Sequence, residues 1–145
     1  MKYIVYTDAS YKKGNAGAGW VTCDAEGQPL SENFASLANR AKDNNVAEIM
    51  AAIEALQDLP AGSDVILYTD SASLVNITER LNGKTPIRVT CGVPLWLTCV
   101  LWETTLRHSQ VSIEKVGDLE PGRTHNKRAD ALARRARVAS LGAAA

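Results

Sequence analysis

Two short apolar runs, YIVY at 3–6 and VILY at 65–68, are each followed by the same two residues, Thr-Asp. The second run is short and continuously apolar, as suits a central strand covered on both faces, while residues 2–8 alternate weakly but are β-rich. An aspartate at the end of such a strand is costly to desolvate and needs a partner. Side chains alternate across a strand, so Ile4, Tyr6 and Asp8 share one face, as do Ile66, Tyr68 and Asp70. With the two strands as neighbours, both carboxylates meet at the sheet rim, where repulsion raises a pKa unless a cation intervenes.

Periodicity places the other elements. Residues 16–24 and 27–37 read as two further strands with a turn at Glu26-Gly27, completing an antiparallel start. Residues 44–59 switch to helical period, with Val46, Ile49, Ile53 and Leu56 as one stripe and PAG as the stop. Residues 71–83 predict a helix closed by Gly83, followed by an irregular connection over 84–93. A second stripe, Leu95, Cys99, Trp102 and Leu106, predicts a helix over 95–106, and QVSIEKV at 110–116 a strand. The last helix, 125–138, takes Asn126 as its cap and buries Ala129, Leu132, Ala133 and Ala136. The order β, β, β, α, β, α, α, β, α predicts an α/β fold. Its five-stranded mixed sheet has the first three strands antiparallel and helices on both faces. Residues 1–140 make one domain, with 141–145 a frayed tail. Sites in such sheets gather at the carboxyl ends of parallel strands, where Asp8 and Asp70 are expected.

Composition excludes several function classes. Sixteen Lys plus Arg balance sixteen Asp plus Glu, so net charge does not announce a nucleic-acid binder. Between Arg123 and Arg137, however, six cations face one acid, Asp130, which suits either a polyanion contact or a solvated helix face. Cys23, Cys91 and Cys99 are odd in number and lack metal-ligand spacing, which argues against a disulfide framework or zinc site. The start is too short in apolar residues for a signal peptide, and GVPLWLTCVLW too short for a membrane span. A cytoplasmic protein is expected.

Four acids stand at the edge of the predicted core: Asp8, Glu48, Asp70 and Asp130. Together they can hold hard divalent cations through oxygen. Each also has a purely structural reading. Asp8 and Asp70 suit the turns that follow them. Glu48, three residues after Asn45, suits a capping box, and Asp130 pairs in helical order with Arg134. Composition and spacing leave both readings open.

Four motifs in sequence resemble those of type 1 ribonuclease H. YTDASYKKGNAGAGWV resembles its first hairpin, and NNVAEIMAAIEAL its Asn-rich entry into a helix bearing a metal-ligand Glu. LYTDSASLVN is similar to its central strand ending Thr-Asp-Ser, and NKRADALARRA to its closing pattern Asn-x-x-Ala-Asp-x-Leu-Ala. The four cover nearly the whole chain. The resemblance implies a ribonuclease H-like fold with Asp8, Glu48, Asp70 and Asp130 as the catalytic and metal-binding set. It implies an endonuclease that hydrolyses the RNA strand of RNA–DNA hybrids, leaving 5′-phosphate and 3′-hydroxyl ends. Two Mg²⁺ about 4 Å apart, with Mn²⁺ able to substitute, would activate the water and stabilise the leaving oxygen. Four carboxylates balance two such dications. By the family pattern Asn15, Asn44, Asn45 and Ser71 read the 2′-hydroxyls that distinguish RNA, while Arg40 and Lys42 hold phosphates of the DNA strand. Trp20, Trp96 and Trp102 are stacking candidates, Trp102 being the one assigned to the core. A monomer without an obligate protein partner is expected.

The chain departs from the family at three places. Ala72 stands where many members carry Gln, and residues 82–94 offer only Lys84 and Arg88 in place of a basic handle. Gly117-Asp118 replaces a Gly-His loop, and PGRTHN resembles the subgroup without that loop. His125 is therefore read as a plain surface histidine, with little part in the chemistry. A non-catalytic hybrid- or RNA-binding module and a detached reverse-transcriptase-type domain are the alternatives the sequence leaves standing.

Overall fold

The computed structural model describes residues 1–38, 40–81 and 93–144. The first strand, β1 (Lys2–Lys12), turns through Lys13 and Gly14, both at positive φ, and returns as β2 (Asn15–Cys23). Two successive positive φ values are what a two-residue hairpin needs to follow the strand twist, and Gly14 takes the second without penalty. A turn whose backbone N–H groups at Glu26 and Gln28 donate to Asp24 leads to β3 (Pro29–Ala38). Helix α1 (Asn44–Gln57) then crosses to β4 (Asp64–Thr69), followed by α2 (Ala72–Leu81), α3 (Leu95–Leu106), β5 (Gln110–Lys115) and α4 (Gly122–Ala144). The sheet order is β3-β2-β1-β4-β5, antiparallel through β3, β2 and β1 and parallel through β1, β4 and β5. The predicted element order and mixed sheet are those observed.

The alternation of side chains across the sheet produces two cores. Val5, Ala9, Ala16, Ala18, Trp20, Val65 and Leu67 face one way and pack with α1, α2 and α3. Tyr6, Val21 and Cys23 face the other way and pack with Ala129 and Leu132 of α4. Between them, Gly17 and Gly19 of β2 present no side chain to α4. A Cβ on Gly19 would lie 2.5 Å from the Ala133 nitrogen and 2.7 Å from Leu132 Cβ, well inside contact distance. One on Gly17 would overlap the backbone from Ala133 to Arg137. The helix therefore rests its backbone directly on the strand, and this close approach sets how near Asp130 comes to β1.

Four sequence expectations are corrected. β1 does not end at Asp8: it runs four residues further, held by antiparallel pairing with β2, which ties Asp8 to Gly19. Asp43, not Asn45, caps α1, accepting the Val46 N–H at 2.9 Å, so Glu48 belongs to no capping box. α4 begins at Gly122, directly after Pro121, so Asn126 and His125 lie inside the helix; proline suits a helix start because it lacks the N–H that would go unpaired. The helix also takes in 139–144, for which the sequence predicts partly a tail. Finally, α3 buries Leu97, Thr98, Leu101 and Thr104, while Leu95 and Leu106 of the predicted stripe are exposed. LWLTCVLWETTL is apolar almost all round, so its period does not single out a face. Burying the threonines is cheap because their hydroxyls bond back to carbonyls one turn earlier, Thr104 to Val100 at 2.7 Å. Gly83, Lys84, Arg88, Cys91 and the connection up to residue 92 lie outside the described residues.

Candidate active site

Parallel pairing of β1 and β4 runs Ile4 with Ile66 and Tyr6 with Tyr68, and stops there. The next residues on that face are Asp8 and Asp70. Tyr6 and Tyr68 stack with ring centroids 5.2 Å apart, forming an aromatic floor one register below the two carboxylates. Asp70 follows immediately on β4, where the chain turns into α2 and Ser71 Oγ accepts the Leu74 N–H. The partner strand opposite Asp8 presents Gly19, which leaves room for α4 and hence for Asp130.

Glu48 arrives from α1, one turn into the helix and fully inside the fold. Its Oε1 accepts the Ala9 N–H at 3.3 Å, beside Asp8. Oxygens of Asp8, Glu48 and Asp70 all lie within 4.8 Å of one another. Asp130 stands at the edge of this group and is ion-paired with Arg134 at 3.2 Å. The structure thus brings together three of the four expected acids tightly, with the fourth alongside. The helical Asp130–Arg134 pair foreseen as its structural reading forms as well.

Electrostatics show what this costs. Burial, then the charges of Asp70 and Asp130, push the Asp8 carboxyl up to about 7. Burial, then Asp8 and Asp70, push Glu48 up to about 10. Burial also raises Asp70, against the pull of its own backbone N–H and of Lys115. Lys115, level with Thr69 at the end of β5, is a cation near the site that the sequence analysis missed; its only signal was its place at the strand's carboxyl end. Among the described residues Glu48 Oε2 is buried without a hydrogen-bond partner. Buried acceptors are normally satisfied, and an orphaned carboxylate oxygen facing two others is the donor set of a hard dication. The residues fit such an ion.

The expected substrate contacts divide. Asn44 and Asn45 are exposed on the first turn of α1, at the same end of the helix as Glu48. Asn15 opens β2 beside the hairpin turn, half-buried. Ser71 spends an acceptor on capping α2 but keeps its O–H to donate. Lys42 is exposed, and its carbonyl accepts the Tyr11 hydroxyl at 2.9 Å. The Arg40 guanidinium folds back onto the carbonyls of Leu37 and Ser36 at 3.2 Å each, on the rim of a roughly 420 Å³ groove shared with Trp96. Trp20 is removed from the stacking candidates: it is buried, with Nε1 donating to Asp58 at 2.9 Å. Trp96 is exposed and Trp102 packs partly on the core, as expected for the latter. His125 is not a free surface ring, since it is half-buried with its centroid 5.0 Å from that of Tyr6.

A sequence profile of the RNase H family matches residues 1–138. Curated relatives include a ribonuclease H of Caulobacter sp. (strain K31), 30% identical with 97% of this chain and 93% of that protein covered. Another, from Chlorobium luteolum, is 33% identical over 93% of this chain and 94% of its own. Among solved structures, the N-terminal RNase H domain of a Mycobacterium tuberculosis protein, fused to maltose-binding protein, superposes with a TM-score of 0.74 at 26% identity, covering 99% of both chains. LC11-RNase H1 in complex with an RNA/DNA hybrid gives the same TM-score and identity over 96% of this chain and 99% of that one.

Proposed function

The chain belongs to the RNase H family, and from that premise we propose that it is an endoribonuclease hydrolysing the RNA strand of RNA–DNA hybrids. The observation that carries the reading is the convergence of Asp8, Glu48 and Asp70 within 4.8 Å, with Glu48 Oε2 unpartnered among the described residues. A protein that only bound phosphates would gain nothing from burying like charges where the phosphates arrive. Asp8, Glu48, Asp70 and Asp130 are the residues assigned to hold two Mg²⁺, with Mn²⁺ as a substitute. When bound, such ions lower the pKa of the attacking water and stabilise the leaving 3′ oxygen, giving 5′-phosphate and 3′-hydroxyl ends.

The protein's own part is to fix the donor set. Ala9 N–H orients Glu48, the β1–β4 register sets Asp8 beside Asp70, and the bare backbone of Gly17 and Gly19 brings α4 and Asp130 to the same rim. Asn15, Asn44, Asn45 and Ser71 are assigned to the 2′-hydroxyls of the RNA strand, whose sequence-independent display in the minor groove suits short polar side chains. Arg40 and Lys42 are assigned to phosphates of the DNA strand; for Arg40 this requires its guanidinium to leave two carbonyls of its own chain. Residues 1–140 act as one catalytic domain, as a cytoplasmic monomer. Among the described residues Cys23 and Cys99 are free thiols, which is in keeping with a reducing compartment. Among the described residues no helix is long and apolar enough to cross a membrane.

The test is a hybrid labelled in either strand, beside double-stranded RNA and double-stranded DNA, each with Mg²⁺ or with chelator. Cutting confined to the RNA strand of the hybrid and dependent on the metal is expected. Comparable cutting of all-DNA duplex, or undiminished cutting in chelator, would overturn the reading.

A further inference from the structure

The run of cations on α4 resolves into distinct tasks. Arg128 makes two bonds to Glu32 of β3, at 2.7 and 2.6 Å. Arg135 lies over the Phe34 ring at 4.9 Å, also on β3. Arg137 donates to Ser10 of β1 at 2.8 Å. These three fasten the helix to the sheet. Arg134 does not: its partner is Asp130, a carboxylate at the rim of the acidic cluster.

An exposed pair one helical turn apart adds little to the stability of a helix. Its position is more informative than its strength. The Arg134 side chain is 67% exposed, and it meets Asp130 through one terminal nitrogen as an ion pair at 3.2 Å. The five donors of a guanidinium form a planar fork that matches two oxygens of a phosphate. A phosphodiester reaching this site approaches a rim of four acids, and a guanidinium there offsets the repulsion at the point of entry. Resting on the reading of the site given above, we propose that Arg134 is a substrate-binding residue: while ion-paired with Asp130, it holds a non-bridging oxygen of an RNA-strand phosphate adjacent to the one cleaved.

The experiment measures binding apart from turnover. A fluorescent RNA–DNA hybrid is titrated with Asp70→Asn protein over a range of NaCl, alone and combined with Arg134→Gln, Arg134→Lys or Arg128→Gln. Losing one phosphate contact makes the slope of log affinity against log salt shallower by about one. Arg134→Gln should do this and weaken binding severalfold, whereas Arg134→Lys should keep the slope and recover only part of the affinity, having lost the fork. Arg128→Gln removes the same charge from the same helix and should change neither. In the otherwise intact enzyme, Arg134→Gln should raise KM more than it lowers kcat. Circular dichroism confirms that each variant is folded. Unchanged slope and affinity in Arg134→Gln, or an equal change in Arg128→Gln, would overturn the assignment while leaving the ribonuclease reading intact. Failure of the parent to bind hybrid at all would overturn both.

Discussion

Stability of the metal-free protein should fall as pH rises through neutrality, opposite to the usual behaviour of a protein rich in paired carboxylates. The folded chain holds the Asp8 proton up to about pH 7, whereas an unfolded chain releases it near the ordinary value of 3.8. Across that window the folded state binds more protons, so stability declines by about 1.4 kcal/mol per pH unit for this group. From pH 5 to 7 the Asp8 share is about 2 kcal/mol, because the slope halves as pH reaches the folded value, or roughly 7 °C in Tm for a domain of this size. Glu48, pushed up to about 10, acts in the same direction. Glu32 and Glu120 are held below their ordinary values, by Arg128 and Thr124 respectively, and lose their contributions only at lower pH, outside the window.

Urea denaturation in chelator at pH 5, 6 and 7 measures this, with Asp8→Asn as the reference that lacks the titrating group. The parent should lose stability across the series and the variant should lose distinctly less. Mg²⁺ added at pH 7 should restore the parent, by about 2.7 kcal/mol at a hundred times its Kd. Parallel profiles for parent and Asp8→Asn, or parent stability that rises with pH in chelator, would refute the electrostatic account.

Other expectations follow from the same geometry. Gly19→Ala forces a methyl against the α4 backbone, so it should destabilise by about 1–3 kcal/mol in denaturant titration. By moving Asp130 outward it should also slow cleavage up to about a hundredfold; wild-type values for both would refute the packing argument. His125→Ala should keep the cleavage rate within about tenfold, well short of a lost general acid. It should also cost about 1 kcal/mol of stability through the lost Tyr6 contact. A loss of a hundredfold or more in a folded variant would make His125 part of the chemistry. Hybrids carrying single deoxynucleotides in the RNA strand should resist cutting near them, as mapped on a sequencing gel, because the 2′-hydroxyl is the feature read. Uniform cutting across such positions would remove Asn15, Asn44, Asn45 and Ser71 from that role.

The order of elements and the meeting of Asp8 with Asp70 were legible because they depend on short-range pattern. Two apolar runs with the same ending fix both strand identity and shared face, and register does the rest. Glu48 stood out by its place near the start of α1, but its spacing from Asn45 fits a cap equally well, and the actual cap, Asp43, lies two residues earlier. The length of β1 was hidden because antiparallel pairing with β2 continues past the point where parallel pairing with β4 ends. The face of α3 was hidden by a sequence with too many apolar positions, which tertiary contact alone selects from. The roles of Gly17 and Gly19 needed α4 in place, because AGAG reads as a small-residue strand whichever element approaches it. Arg134 was visible as a helical partner of Asp130 but not as a cation at the site, a distinction that depends on where Asp130 itself stands.

Cleavage of a hybrid by Asp70→Asn in Mg²⁺ separates a metal-holding cluster from a merely structural one. The substitution keeps the shape of the side chain and removes one charge from a crowded cluster. The account predicts a folded protein, as stable as the parent or more so in chelator, that still binds hybrid but does not cut its RNA strand. Cutting at the parent's rate in the same Mg²⁺ would contradict it.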